Sequence, residues 1–337
     1  MTQHTRLKIA VIMPIFNAER FLRRAIESIL NQSFSDFAFL IINDGSSDSS
    51  EKIILSYKDS RIQLIKNITN LGVIQSLNKG IELSSAEFIA RQDADDISLP
   101  QRLQEQVNFL EKHSNIGLVG TCFMVINEKG EPVTKVRVPT EPDILRQKLN
   151  KKNQFAHGSV LIRRECLEKV GLYRKAFKHC EDYDLWLRLS EHYNLSNLPE
   201  YLYQWRLVTG SISTSHSYYQ KKCAEFAFQL HQERLLYGQD RIESGKMTTT
   251  EVDSYINSMG FGQDKNLEIQ SLCEQGFSYL VNDRYSQACQ YYLKSFKLNK
   301  FKIKTWLFII IAILKPLISK RLFRLMLSIY FKLVSKN

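Results

Sequence analysis

Four short apolar runs, each closed by a turn, constrain this chain most: Ile9-Ala10-Val11-Ile12-Met13, Phe37-Ala38-Phe39-Leu40-Ile41-Ile42, Ile62-Gln63-Leu64-Ile65 and Phe88-Ile89-Ala90. Runs of this length, apolar at successive positions, predict strands buried on both faces. Pro14 should end the first. Between the first two, Phe21, Leu22, Ala25, Ile26, Ile29 and Leu30 recur at helical spacing, with Asn17 placed to cap that helix. Repeated strand, turn and helix units predict an α/β fold with an open, mostly parallel sheet flanked by helices. Ligands of such sheets sit beyond the carboxyl ends of the strands. There the chain places Phe16 and Asn17, then Asp44, then Asn70 and Gly72, then Asp93 and Asp95.

The fourth turn is the most acidic. In Ala90-Arg91-Gln92-Asp93-Ala94-Asp95-Asp96 three carboxylates crowd together, and like charges this close stay ionised where a divalent cation or a basic partner offsets them. A solvated Asp-rich turn is the competing explanation. Further strands are expected over residues 116–126 and 159–162, and a helix from Glu181 to Ser190 with Leu185, Trp186 and Leu189 as its buried stripe. Beyond roughly Ser213 the pattern is helical, with a polar break near Gly238 to Asn266.

The formal net charge of +11 is concentrated at one end, since nine Lys and Arg and no Asp or Glu lie between Lys300 and Asn337. A nearly neutral body with a basic tail argues against a nucleic-acid groove and for an anionic surface met at one end. The six cysteines show no C-x-x-C or Cys/His ligand spacing, which argues against a zinc site or a disulfide framework and fits a reducing compartment. The segment before the first strand has no signal-peptide character, so the body is expected to face the cytoplasm.

Taken in order, five motifs resemble the family 2 glycosyltransferases of GT-A fold: Met13-Pro14-Ile15-Phe16-Asn17, Ile42-Asn43-Asp44-Gly45-Ser46-Ser47-Asp48, Asn70-Leu71-Gly72 with Asn78, Asp93-Ala94-Asp95-Asp96, and Cys180-Glu181-Asp182-Tyr183-Asp184-Leu185-Trp186. The stretch from Ala90 to Gln106, with Ser98-Leu99-Pro100-Gln101-Arg102-Leu103, is similar to the bacterial subgroup that builds surface polysaccharides. The resemblance covers about the first 215 residues and implies a nucleotide-sugar donor, with UDP-sugar favoured, and a glycan or polyprenyl-linked acceptor. It implies Asp95, then Asp93, as ligands of Mg or Mn. Pro14, Phe16, Asn17, Asp44, Asn70, Asn78 and Arg91 are implied around the donor, Asp182 as general base, and Glu181 as its partner that orients acceptor or base. In-line attack would invert the anomeric centre. His157 falls near the acceptor, and Arg206 near the diphosphate. The chain departs from the pattern at Val208, where many relatives carry a His.

Simpler readings stand beside these. Asp44 suits an Asx turn before Gly45, Asn78 a helix surface, and Arg91 plain compensation of Asp93. Glu181, Asp182 and Asp184 suit the first turn of any helix, and His157 suits a structural role. A sugar-nucleotide pyrophosphorylase would need a Gly-rich basic loop after the first strand, which residues 14–17 lack. A non-catalytic scaffold of the same fold is opposed by the intact Asp95 and Asp182.

Three regions are expected: a catalytic domain over residues 1–215, a helical region over 216–299, and a basic tail over 300–337. Gly276, Tyr279, Ala288, Tyr292 and Ser295 resemble one tetratricopeptide-type hairpin. In the tail, Trp306 to Leu314 is apolar but stops at Lys315-Pro316, short of the ~20 residues that span a bilayer. Beyond it, Ile318, Leu322, Leu325, Met326, Ile329 and Leu333 share one face, and Lys320, Arg321, Arg324 and Lys332 the other. This is the pattern of an interfacial helix on anionic lipid, or of a packed terminal helix with snorkelling cations. A peripheral position at the inner face of the cell membrane follows from the first.

Overall fold

The computed structural model describes residues 7–210, 217–259 and 265–298, with Ala312 besides. Apart from Ala312, the basic tail of 300–337 therefore lies outside the described residues, as does the start of the chain. Two compact units divide it: the first holds residues 1–123, 136–205 and 227–249, the second residues 124–135, 206–226 and 250–337.

The first unit is built on a twisted mixed sheet. Its strands are β1 (Ile9–Ile15), β2 (Phe37–Asn43), β3 (Ile62–Lys66), β4 (Phe88–Arg91), β5 (Ile97–Ser98), β6 (Ile116–Ile126), β8 (Leu161–Arg163) and β9 (Asn194–Arg206), with β7 (Pro132–Val136) paired to β6. Their order is β3-β2-β1-β4-β8-β6-β9-β5. The first four strands are parallel, as expected, because helices α1 (Leu22–Leu30), α2 (Ser50–Leu55) and α3 (Val73–Leu83) provide the crossovers between them. Strand β8 runs antiparallel to both β4 and β6, and β5 is antiparallel to β9. An apolar run announces a strand and says nothing of its direction, which the connection sets.

The chain order reverses between β1 and β4, so a crevice opens beyond their carboxyl ends. The core beneath it joins Ile9, Val11 and Met13 of β1 to Leu22, Ala25, Ile26 and Ile29 of α1, and to Leu103, Val107 and Leu110 of α4 (Arg102–Lys112). Two local expectations fail. Pro14 does not end β1: pairing with β4 stops at Ile12 opposite Arg91, leaving Pro14 beside β2 alone, where a missing N–H is tolerated. Asn17 does not cap α1, which begins after Phe21. The side chain of Asn17 turns instead to the β2–α2 loop, where its Oδ1 accepts the Ser47 N–H at 2.9 Å.

Helices α5 (Pro142–Leu149), α6 (Arg164–Val170) and α7 (Glu181–Ser190) complete the first unit with the later half of α8 (Ser217–Tyr237). Leu185, Trp186 and Leu189 of α7 are buried as expected, but so are Asp184 and Arg188. Asp184 carries no exposed surface and is held by Arg188 Nε at 3.0 Å and by the guanidinium of Arg174. Arg174 continues to Asp240 at 2.7 Å, so the helix that begins with Glu181 and Asp182 is clamped by a buried ion-pair network.

In the second unit, α9 (Thr249–Ser258) falls inside the expected polar break. Helices α10 (Lys265–Val281) and α11 (Tyr285–Leu298) pack against each other with Ala288, Tyr292 and Ser295 buried. The β6–β7 turn is tied to the turn between them: Asn282 Oδ1 accepts the Glu128 N–H at 2.8 Å, and Lys129 pairs with Asp283 at 2.8 Å. Cys122, Cys166, Cys273 and Cys289 are free thiols. No described helix is long and apolar enough to cross a membrane.

Candidate active site

The loops after the first three strands are bound to one another. Asp44, 3% exposed, accepts from Asn67 Nδ2 at 2.7 Å, the Leu71 N–H at 2.9 Å and the Gly72 N–H at 2.8 Å. Gly45 has φ +76°, and a Cβ there would stand 3.0 Å from the Asn70 nitrogen, so only glycine lets the two loops meet. Asn70 Oδ1 accepts the Gly72 N–H at 3.0 Å, a local turn. Phe16 is half-exposed beside these loops, and Pro14 sits in β1 opposite Ile42.

The fourth loop is shaped from below by two buried polar side chains. Gln92 Nε2 donates to the carbonyls of Asp93 at 2.9 Å and Asp96 at 3.2 Å, fixing the acidic turn. Arg102, with no exposed surface, donates Nη1 to the Gly158 carbonyl at 2.6 Å and Nη2 to the Arg91 carbonyl at 3.0 Å. Arg91 is buried and ion-paired with Asp93 through Nη1 and Oδ1. Burial alone would lower its pKa, but the Asp93 charge more than offsets this and holds the guanidinium firmly charged.

From this turn a short path leads to α7. A Cβ on Gly158 would lie 2.7 Å from Asp93 Oδ2 and 1.8 Å from the Tyr203 hydroxyl, so the missing side chain is what lets β9 and the acidic turn close here. The next residue back, His157, meets the Tyr173 hydroxyl through Nε2 at 3.0 Å and stands 4.0 Å from Glu181 Oε1 through Nδ1. Burial, then the charge of Arg91, pushes His157 well below its ordinary range, so the ring is neutral. The acidic turn and the head of α7 thus converge within one compact unit.

At that head, Glu181 is 7% exposed and its Oε2 has no hydrogen-bond partner among the described residues. Burial, then repulsion from Asp182, raises its pKa strongly. Burial also raises Asp182, but less, because its charged form is hydrogen-bonded: Oδ1 accepts the Tyr183 N–H at 2.7 Å and Oδ2 accepts Asn153 Nδ2 at 2.6 Å. Adjacent carboxyls with separated affinities can hold one proton between them, one acting as acid and the other as base.

Two expected donor contacts are occupied elsewhere. Asn78 bonds the backbone of Tyr173 in both directions, Nδ2 to the carbonyl at 2.8 Å and the N–H to Oδ1 at 3.1 Å. Arg206 is 1% exposed, belongs to the second unit, and donates Nη1 to the carbonyls of Asn127 at 3.0 Å and Glu128 at 3.3 Å. Conversely, Gln92, Arg102, Asn153, Tyr173 and Tyr203 had no role assigned from the sequence. For Gln92 and Arg102 the signal was their place in the acidic and Ser-Leu-Pro motifs; for Asn153 there was none.

Among the described residues no cluster of three His, Cys, Asp or Glu side chains could hold a metal. Asp93 and Asp95, one residue apart and each partly exposed, fit an ion that takes one or two carboxylates and completes its shell with phosphate and water oxygens, as Mg does. Asp93 is also ion-paired with Arg91.

The family model for glycosyl transferase family 2 matches residues 10–171. The chain is 39% identical over 207 residues to the putative glycosyltransferase EpsE of Bacillus subtilis, covering 59% of this chain and 73% of that one. It is 31% identical over 209 residues to the UDP-Glc:alpha-D-GlcNAc-diphosphoundecaprenol beta-1,3-glucosyltransferase WfgD of Escherichia coli, covering 61% and 80%. Two solved structures share the fold: S. aureus TarS 1-349 in complex with UDP, with a TM-score of 0.55, 14% identity and coverage of 96% and 91%, and the mannosyltransferase PcManGT of Pyrobaculum calidifontis in complex with GDP-Man and Mn2+, with a TM-score of 0.54, 14% identity and coverage of 94% and 89%. With the strand order, the converging loops and these likenesses together, the chain belongs to the family 2 glycosyltransferases and has the GT-A fold.

Proposed function

We propose that this protein moves a sugar from a UDP-sugar to a glycan or polyprenyl-linked acceptor in bacterial cell-envelope or exopolysaccharide synthesis, with inversion and with help from Mg or Mn. The observation that carries the reading is the contact path from Asp93 through Gly158 and His157 to Glu181 and Asp182. It supports reading the acidic turn as the diphosphate end, and the head of α7 as the acceptor end, of one site.

Phe16 offers a half-exposed ring to the base. Asp44 has three donors on its carboxylate, leaving one of about four acceptor sites for a base N–H. Asn17 and Asn70 hold the loops that frame the nucleotide. Arg91 places a buried positive charge near the leaving diphosphate. A divalent ion on Asp95 and Asp93 would supply Lewis-acid stabilisation of the charge that develops there. Asp182, ionised, accepts the proton of the acceptor hydroxyl as it attacks the anomeric carbon. Glu181, protonated, and His157, neutral, orient the acceptor. Attack opposite the leaving group inverts the centre.

Support comes from the UDP complex of TarS, the Mn2+ complex of PcManGT, and the UDP-Glc donor, lipid-linked acceptor and beta-1,3 linkage in the name of WfgD. A lipid-linked acceptor also gives the basic tail a purpose, at the anionic inner face of the cell membrane.

The test is a panel of nucleotide sugars with Mn2+, read by release of the nucleoside diphosphate and by mass spectrometry of extracted lipid-linked glycans, with the anomeric configuration read by NMR. Asp182→Asn should lose about 10²–10⁴-fold in transfer while still binding UDP. Wild-type transfer by Asp182→Asn would overturn the assignment.

A further inference from the structure

Both oxygens of Asp182 are spoken for, by two different kinds of donor. Oδ1 takes the Tyr183 N–H, a main-chain group that any residue at 183 other than proline would supply. Oδ2 takes the side-chain amide of Asn153 at 2.6 Å, from a loop 29 residues earlier in the chain. The amide cannot be turned round, because Asn153 Oδ1 accepts the Phe155 N–H at 3.0 Å and an NH2 group could not. The loop around it is itself fixed. Gln154 Nε2 donates to the carbonyls of Lys152 at 2.9 Å and Lys148 at 3.2 Å, and Phe155 packs edge-on against Trp186 of α7, with ring centroids 5.8 Å apart.

Glu181 next door has no such partner on Oε2 among the described residues. A hydrogen bond from a neutral donor stabilises a carboxylate more than a carboxylic acid, so an asymmetric set of donors sorts a shared proton between neighbours. The groups facing the pair from other elements are Arg91 and Asp93 at the end of β4, His157 from the turn before β8, and Tyr173 from the loop before α7. The charge of Arg91 favours ionisation of both carboxyls, whereas the amide reaches Asp182 alone.

We propose that Asn153 is the positioning residue of the base: its locked amide orients Asp182 and makes Asp182, and not Glu181, the ionised member of the pair. The proposal rests on the assignment of Asp182 as base, and its test separates the two.

The full-length protein is labelled with 13C at the aspartate carboxyl carbons, and the Asp182 signal is identified by its loss in Asp182→Asn. Its titration midpoint is then followed directly, with no donor sugar needed. Asn153→Ala should move the midpoint up by about one pH unit, the scale of one hydrogen bond to a charged group. Asn153→Asp keeps an acceptor for the Phe155 N–H, so the turn is retained, but sets a carboxylate against Asp182 and should move the midpoint further. In turnover, both variants should shift the acid limb of the rate by the same amount as the midpoint and leave KM for the donor unchanged. An unmoved midpoint in both variants overturns the proposal while leaving the base assignment intact. Wild-type transfer by Asp182→Asn overturns the base assignment and this proposal with it.

Discussion

Asn78 and Tyr173, 95 residues apart, exchange two hydrogen bonds, side-chain amide to main chain in both directions, and the Tyr173 hydroxyl then meets His157 at 3.0 Å. A residue in the middle of α3 thereby bears on the position of an imidazole beside Glu181. Asn78→Ala removes both bonds from a partly buried place and should cost about 1–3 kcal/mol in urea unfolding. Because Tyr173 loses its anchor, kcat should fall while KM for the donor stays near wild type. A rise in donor KM alone would instead mean that Asn78 touches the nucleotide.

Arg102 spans the floor of the site, with one nitrogen on the Gly158 carbonyl and another on that of Arg91. Burial lowers its pKa to about 10, which still leaves it charged at neutral pH. Arg102→Met keeps much of the volume but strands two buried carbonyls, each worth about 1–3 kcal/mol if left unmet. Arg102→Lys supplies one point charge where a fork is required. Both variants should unfold at lower urea than wild type, Met more than Lys. Equal midpoints for wild type and Arg102→Met would show that water replaces the guanidinium at no cost.

The parallel half of the sheet is legible in the sequence because its four apolar runs follow one another as repeated strand, turn and helix units. Strands β6 and β8 also follow helices, α4 and α5, yet β8 pairs antiparallel with β4 and β6, so direction there comes from the tertiary connection and not from the apolar run. Site legibility divides in the same way. Asp95 and Asp182 stand out because clustered carboxylates are costly unless something uses them. Asn153 and Arg102 act through side-chain bonds to residues 29 and 56 positions away, and Tyr173 is anchored through its main chain to Asn78, 95 positions away; a lone amide, guanidinium or tyrosine gives no hint of a distant partner. Arg206 shows the converse. A basic residue at the right spacing in a motif is placed by the fold on the carbonyls of Asn127 and Glu128.

Chelation should suppress transfer, and Mg or Mn should restore it, if Asp95 and Asp93 hold the ion. The proposed ligands rank Asp95 first, with Asp93 engaged by the Arg91 guanidinium. Asp95→Asn should therefore weaken Mn2+ binding in the presence of UDP by about 10-fold or more, the scale of 1.4 kcal/mol, as read by electron paramagnetic resonance of the free ion. Asp93→Asn should weaken it less. Unchanged binding in both variants would place the ion elsewhere.

Glu181 couples function to stability with a definite sign. Its carboxyl is neutral in the folded protein at a pH where the unfolded chain has already ionised, since burial and then Asp182 raise its folded pKa. Between the ordinary carboxylate range and that raised value the folded state binds more protons than the unfolded state, so the slope of stability with pH is negative there and the protein loses stability as pH rises. Below the ordinary range both states are protonated and the penalty vanishes. Glu181→Gln removes the ionisable group while preserving its shape and supplying a neutral amide. The variant should match wild type near pH 4 and exceed it increasingly toward pH 8, with a gain in Tm there of about 2–4 °C for each kcal/mol of penalty relieved. The same substitution should slow transfer, because the acceptor loses an orienting acid. Thermal melts at the two pH values decide the matter: a difference between variant and wild type that does not grow with pH would mean that Glu181 is ionised in the folded protein, and that the proton resides on its neighbour.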